Sequence, residues 1–126
     1  MKAIIAGGRD FIPNDKHFRF MARVFNDYPI TEIVSGGCRG ADSFGEDYAR
    51  HYQLKLTIFP ADWKTHGKAA GPIRNEEMAK YADICILLPG GRGTADMERR
   101  ARREGCKIIK YEEPNDTETT RQTANK

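Results

Sequence analysis

Residues 84–88 read Ile-Cys-Ile-Leu-Leu, five apolar side chains in a row between Asp83 and Pro89. A run this short, closed by proline and glycine, is too brief for a core helix and far from the ~20 residues a membrane helix needs. It reads as a strand, and a strand apolar on both faces has to be covered on both, as central strands of parallel sheets are. The rest of the chain supplies the cover. Residues 2–6, 32–35, 54–59 and 107–111 are further short strands, with Leu54, Leu56 and Ile58 alternating in the third. Helical spacing fills the intervals. Over 13–28 it aligns Phe18, Met21, Ala22 and Phe25, and over 41–52 it aligns Phe44, Tyr48 and Ala49 with Tyr52. Irregular chain over 61–71 precedes a helix that starts at Pro72 and ends near Ala82. The last helix, 93–104, is stopped by Gly105.

Five strands alternating with four helices, joined by right-handed crossovers, make an α/β fold: a Rossmann-like three-layer sandwich around a five-stranded parallel sheet. Strand order 3-2-1-4-5 is expected, and 2-1-3-4-5 fits the same pattern. The 126 residues suffice for one domain. Leu, Ile, Val and Phe total only 23, but none lies beyond Glu113. Residues 1–113 are therefore the expected domain, and residues 114–126, with nothing to bury, read as a disordered polar tail. Lys and Arg number 21 against 18 Asp and Glu, and a net charge of +3 is far from that of a nucleic-acid-coating protein. Met1-Lys2-Ala3-Ile4-Ile5 leads straight into a strand without a signal peptide's apolar core. Cys38, Cys85 and Cys106 are widely spaced with no CxxC pair, which argues against both a disulfide framework and a zinc site. The expectation is a reduced cytoplasmic chain with two buried thiols and one exposed, needing no metal or cofactor and touching no membrane.

Function is written in how three strands end. The first runs into Gly7-Gly8-Arg9-Asp10 and the second into Ser35-Gly36-Gly37-Cys38-Arg39-Gly40-Ala41-Asp42. The fourth runs into Pro89-Gly90-Gly91-Arg92-Gly93-Thr94-Ala95-Asp96. Each has a glycine pair, an arginine within two residues, and an aspartate near a helix start. In order 3-2-1-4-5 these strands are neighbours, so the three loops open onto one crevice at the switch point, where open α/β sheets bind ligands. Glycine lets backbone approach an anion, helix N-termini offer unpaired N–H groups, and arginine adds planar paired donors suited to phosphate.

Gly7, Gly8, Arg9 and Asp10 are thus candidate ligand- or phosphate-binding residues. So are Gly36, Gly37, Arg39, Gly40 and Asp42 of the second loop, and Pro89, Gly90, Gly91, Arg92, Gly93 and Thr94 of the third. Arg74 and Asn75, in a first helical turn, join them.

Each has a plainer reading beside the functional one. Asp10, Asp42 and Asp96 serve equally well as helix caps or dipole partners, while Asp10 or Asp42 could hold ribose hydroxyls. Arg9 is as well placed in sequence to pair with Asp42 as with phosphate. Thr94 suits both a phosphate contact and a cap. A lone Trp63 more often packs than stacks on a base. Lys68 and His66 could close over a phosphate as a lid, although His66 reads better as a solvated loop histidine. Cys38 near a helix start favours thiolate, but no general base accompanies it in sequence, which counts against covalent catalysis.

Gly7-Gly8-Arg9-Asp10-Phe11 and Val34-Ser35-Gly36-Gly37-Cys38-Arg39-Gly40-Ala41-Asp42 resemble the YspA-like (cpYpsA-related) branch of the SLOG superfamily. So do Ala61-Asp62-Trp63 and Gly67-Lys68-Ala69-Ala70-Gly71-Pro72-Ile73-Arg74-Asn75 with Met78. The resemblance runs from Lys2 to about Tyr111. The superfamily includes the Lonely Guy phosphoribohydrolases, the DNA-processing protein A family and sensors of nucleotide-derived signals, and this branch is common in bacteria and their phages. It implies a Rossmann-like fold that takes a nucleotide or ADP-ribose-like small molecule, and it admits a homodimer.

The hydrolases of that superfamily carry Pro-Gly-Gly-x-Gly-Thr-x-x-Glu and an upstream arginine at a helix start. Pro89 to Thr94 match, and Arg74 matches the arginine, but the ninth position is Met97. Cleaving an N-glycosidic bond builds positive charge at the ribose C1′, which a carboxylate stabilises and a thioether does not. Asp96 and Glu98 flank Met97, each rotated about 100° around the helix. Ligand binding is therefore the leading expectation. Phosphoribohydrolase activity with Arg74 and Asp96 as catalytic residues is the alternative. A third, single-stranded nucleic-acid binding through Glu98-Arg99-Arg100-Ala101-Arg102-Arg103-Glu104, is disfavoured: the run lacks aromatics and reads better as a solvated face with Ala101 inward.

Overall fold

A computed structural model describes residues 1–38 and 40–113. The expectations for Arg39 and for residues 114–126 fall outside the described residues. Five strands, β1 (Lys2–Ala6), β2 (Glu32–Ser35), β3 (Lys55–Ile58), β4 (Ile84–Leu87) and β5 (Lys107–Lys110), form one sheet in the order β3-β2-β1-β4-β5. Every pair is parallel, with Ala3 set between Ile33 and Ile84. The order 3-2-1-4-5 is therefore the one adopted, and 2-1-3-4-5 is not.

Alternation along the strands splits the core in two. Ala3, Ile5, Ile33, Ile84 and Ile86 face α1 (Asp15–Asp27) and α2 (Ala41–His51). Ile4, Ala6, Val34, Cys85 and Leu87 face α4 (Ala70–Tyr81) and α5 (Arg92–Arg103), where Met78, Ala79, Met97 and Ala101 are buried. The apolar run at 84–88 thus supplies both faces, as its composition demands.

Several local expectations are corrected. In α1 the buried set is His17, Phe20, Met21 and Val24, while Ala22 is exposed and Phe18 is 48% exposed, edge-on to Phe44. His17 takes an apolar position because its polar atoms are used locally. Its Nδ1 accepts from the Asn14 N–H (3.0 Å), its own N–H donates to Asn14 Oδ1 (3.1 Å), and the ring packs between Phe11 and Tyr111. In α2, Ala41, Phe44, Gly45 and Ala49 are buried, Tyr48 is half-buried and Tyr52 is exposed. On edge strand β3 Leu56 and Thr57 are half-buried, and Ile58 is 44% exposed.

The segment before Pro72 is not irregular. Asp62 accepts from the Thr65 N–H (3.1 Å) and starts a short α3 (Trp63–His66), which a 3₁₀ turn (Gly67–Ala69) joins to α4. Helix α4 begins two residues before Pro72, whose missing N–H falls in the first turn, where no intrahelical bond is lost.

Candidate functional site

The β1–α1, β2–α2 and β4–α5 loops are tied together by their own backbone. The Gly8 N–H donates to Pro89 C=O (2.8 Å), and the Ala41 N–H donates to Gly8 C=O (3.1 Å). A Cβ on Gly7 would stand 2.7 Å from Ala41 Cβ, and one on Gly90 would stand 2.7 Å from the Gly8 nitrogen. These glycines therefore let loop meet loop, which is a different use from admitting an anion.

Beneath the loops lies a cavity of about 710 Å³. Its walls take Gly7, Gly8 and Arg9 from the first loop, Gly36, Cys38 and Asp42 from the second, and Gly91, Arg92, Gly93 and Thr94 from the third. Arg74 and Asn75 of α4 and Asp96 of α5, also expected at the site, line it too. Asp10, Gly37 and Gly40 are not part of the lining. Pro89 and Gly90 border a separate hollow of about 210 Å³ with Lys110 and Tyr111. Lys68 and His66, considered as a lid, are exposed and do not line the cavity. The residues that sequence reasoning did not assign to the wall are Ala6, Gly71, Pro72, Met78, Met97 and Arg99. Of these, Gly71, Pro72 and Met78 stand in the stretches that carry the family resemblance.

One side of the wall is a chain of hydrogen bonds running from β2 to α5. Arg74 Nη1 donates to Gly36 C=O (2.6 Å) and its Nε to Asn75 Oδ1 (3.1 Å), while Asn75 Nδ2 donates to Asp96 Oδ2 (3.0 Å). Asp96 also accepts from Arg100 Nε (2.9 Å) and from Arg99. Burial pushes the Asp96 carboxyl up, but the Asn75 amide and the two arginines outweigh it, so it sits below the usual aspartate value. Asp42 goes the other way. Burial dominates over the Cys38 N–H (3.0 Å), Arg74 and the Gly36 N–H, and its carboxyl is raised. Neither aspartate caps a helix, and among the described residues Asp42 faces Arg74, not Arg9.

The opposite side is left open. Helix α5 starts at Gly91 with no side-chain cap, and the first amide to bond back is that of Ala95, to Gly91 C=O (3.0 Å). Arg92, Gly93 and Thr94, the three residues between, all line the cavity, and a Cβ on Gly91 or Gly93 would meet nothing within 4 Å. Thr94 makes no capping bond. By contrast α1, away from the cavity, is capped by Asn14. Arg9 and Arg92 are exposed cavity residues, and among the described residues neither side chain forms a hydrogen bond or ion pair.

Met97, in place of the hydrolases' glutamate, is fully buried in the cavity floor. The four arginines of the 98–104 run are engaged with acids: Arg99 and Arg100 with Asp96, Arg102 with Glu98 (2.9 Å), and Arg103 with Glu76 (2.8 Å). Ala101 points inward. The run is a salt-bridged helix face.

A family model described as "YspA, cpYpsA-related SLOG family" matches residues 1–66, from β1 through α3. The chain belongs to this family. The match takes in the first two glycine loops and Trp63 of this SLOG domain, and the third loop lies beyond it. The "Gene 61 protein" of Mycobacterium phage D29 is 37% identical over 87 residues, covering 63% of this chain and 70% of the phage protein. No solved structure matches the chain. Membership points to nucleotide-related ligand binding or a related activity. No helix among the described residues is long and apolar enough to cross a membrane.

Proposed function

We propose that this SLOG domain binds a nucleotide or nucleotide-derived, ADP-ribose-like small molecule in the crevice between its three glycine loops, with a phosphate at the start of α5. The uncapped first turn of α5 carries the reading. Three first-turn amides, two glycines without steric obstruction, and Arg9 and Arg92, neither of which pairs with a side chain among the described residues, meet at one cavity. A helix N-terminus attracts anions through its free N–H groups and its dipole, and a guanidinium adds paired donors. Arg74 plays a different part: it is committed to Gly36 and Asn75 and shapes the wall beside Asp42, within reach of ribose hydroxyls.

The arrangement suits holding a ligand better than cleaving it. The floor carries Met97 where a carboxylate would stabilise an oxocarbenium, and the neighbouring cavity acid, Asp96, is already bound by three donors. The test incubates the protein with nucleoside monophosphates, ADP-ribose, NAD and cyclic nucleotides, filters it, and analyses both fractions by mass. Retained intact ligand is expected, and Arg92→Ala should weaken it by about 1.5–3 kcal/mol, the worth of a charged hydrogen bond. Free base and ribose phosphate, lost in Asp96→Ala, would replace binding by hydrolysis. Unchanged retention in both Arg92→Ala and Arg74→Ala would remove the site.

A further inference from the structure

We propose that Trp63 is the platform on which the ligand's aromatic base stacks, so that it selects nucleotides over sugar phosphates; this rests on the crevice being a nucleotide site. A tryptophan ordinarily buries most of its large surface. Trp63 is 51% exposed, and it lines the crevice, unlike the exposed Ile12, Phe18, Tyr52 and Ile58. Nothing in α3 is buried, so the indole does not fasten this helix to the core. Its anchor is the Asp62 cap. The tip of the ring rests on the first turn of α4, where a Cβ on Gly71 would lie 3.5 Å from Cη2, and Gly71 and Pro72 continue the same wall.

The layout of the crevice matches the two ends of a nucleotide. The anion-attracting groups, Arg92 and the open start of α5, follow β4, while Trp63 follows β3 at the sheet's edge. Three strand spacings of about 4.8 Å separate those strands, roughly 14 Å. A phosphate at α5 leaves sugar and base to extend toward β3, past the Asp42 carboxylate and Arg74 and toward the indole. Stacking on an aromatic ring tolerates any base, because every base presents a π-face. The platform therefore recognises a base as such and leaves its identity to other groups.

Trp63 is the only tryptophan in the chain, so its fluorescence reports on this position alone. The experiment titrates the protein with the four common nucleoside 5′-monophosphates and with ribose 5-phosphate, following fluorescence and binding heat. Every monophosphate is expected to quench the emission and to bind about tenfold more tightly than ribose 5-phosphate, which leaves the emission unchanged. Trp63→Ala should bring the monophosphates down to the level of ribose 5-phosphate without altering the latter, and Trp63→Phe should restore most of the difference. Both variants should melt with the wild type, since no core contact is lost. If monophosphates and ribose 5-phosphate bind the wild type equally and Trp63→Ala changes neither, the platform is refuted while the phosphate site stands. If neither these nor ADP-ribose, NAD and cyclic nucleotides bind, both readings fall together.

Discussion

Gly36 and Gly40 stand four residues apart in one loop and answer to different neighbours. Gly40 has φ +78°, a conformation that L side chains rarely adopt, and a Cβ there would run into the backbone carbonyl oxygens of Gly8 and Arg9. Backbone held in a loop junction cannot yield, so Gly40→Ala should lose about 3 kcal/mol or more in urea unfolding, combining backbone strain with overpacking. At Gly36 a Cβ would lie 2.5 Å from Arg74 Nη1 and 2.8 Å from its Cζ, the far end of a flexible side chain. Gly36→Ala should therefore fold with a loss of about 1 kcal/mol or less, push the guanidinium aside and impair ligand retention. Unfolding of Gly36→Ala as severe as that of Gly40→Ala would contradict this division. The sequence shows two glycines in one motif, and nothing in it distinguishes the packing glycine from the one that makes room for Arg74.

Element by element, what the chain's pattern announces depends on whether the signal is local. β1 and β2 fall where the apolar runs place them, and β4 ends one residue early. The start of α4 and the existence of α3 were not legible, because Asp62 caps through an ordinary loop aspartate and Gly67-Lys68-Ala69 carries no apolar period. The far end of the sheet has its own device. Glu32, the first residue of β2, is buried and accepts from Thr57 Oγ1 (2.7 Å) and Tyr81 Oη, with Lys55 Nζ at 3.7 Å, so it links β2, β3 and α4. Burial raises its carboxyl, but the two hydroxyls with Lys55 and Lys2 outweigh that and hold it below 4.5. A depressed carboxyl contributes stability that is present above the unfolded value and lost as pH falls through the folded one. Glu32→Gln should accordingly cost about 1–2 kcal/mol at pH 7. It should also flatten the decline in melting temperature below pH 4.5, and an unchanged acid limb would show that the carboxylate is not a source of acid sensitivity.

Across the whole molecule, the buried thiols report on the integrity of the sheet. Cys85 lies in the core of β4, where burial, with Cys106 and Glu98 nearby, pushes its thiol up to about 12. Burial also raises Cys106, whose Sγ donates to the Ala79 and Ala82 carbonyls (3.4 and 3.5 Å). Cys38 is half-buried in the crevice wall. A thiol reagent at pH 8 should therefore label one cysteine in the folded protein and three in denaturant. Protection of that one thiol by ribose 5-phosphate would tie Cys38 to the occupied crevice, and rapid labelling of two would mean that the face of the sheet under α4 and α5 opens. The crevice itself was legible because three glycine-arginine loops in adjacent strands can only meet at the switch point. The state of each arginine was not.

By itself the sequence determined the strand and helix alternation, the both-faces-buried β4, and the chemistry available at the strand ends, because these are properties of short, contiguous runs. Tertiary structure alone decided which arginines are spent and which are free. Arg74 and Arg99 are taken up by Gly36 and Asp96, whereas Arg9 and Arg92, at the cavity, have no partner among the described residues. It also decided that Trp63 stays half-exposed beside Gly71. A side chain's partner is chosen by whichever element the fold brings alongside it, and for Arg74 that partner lies 38 residues away.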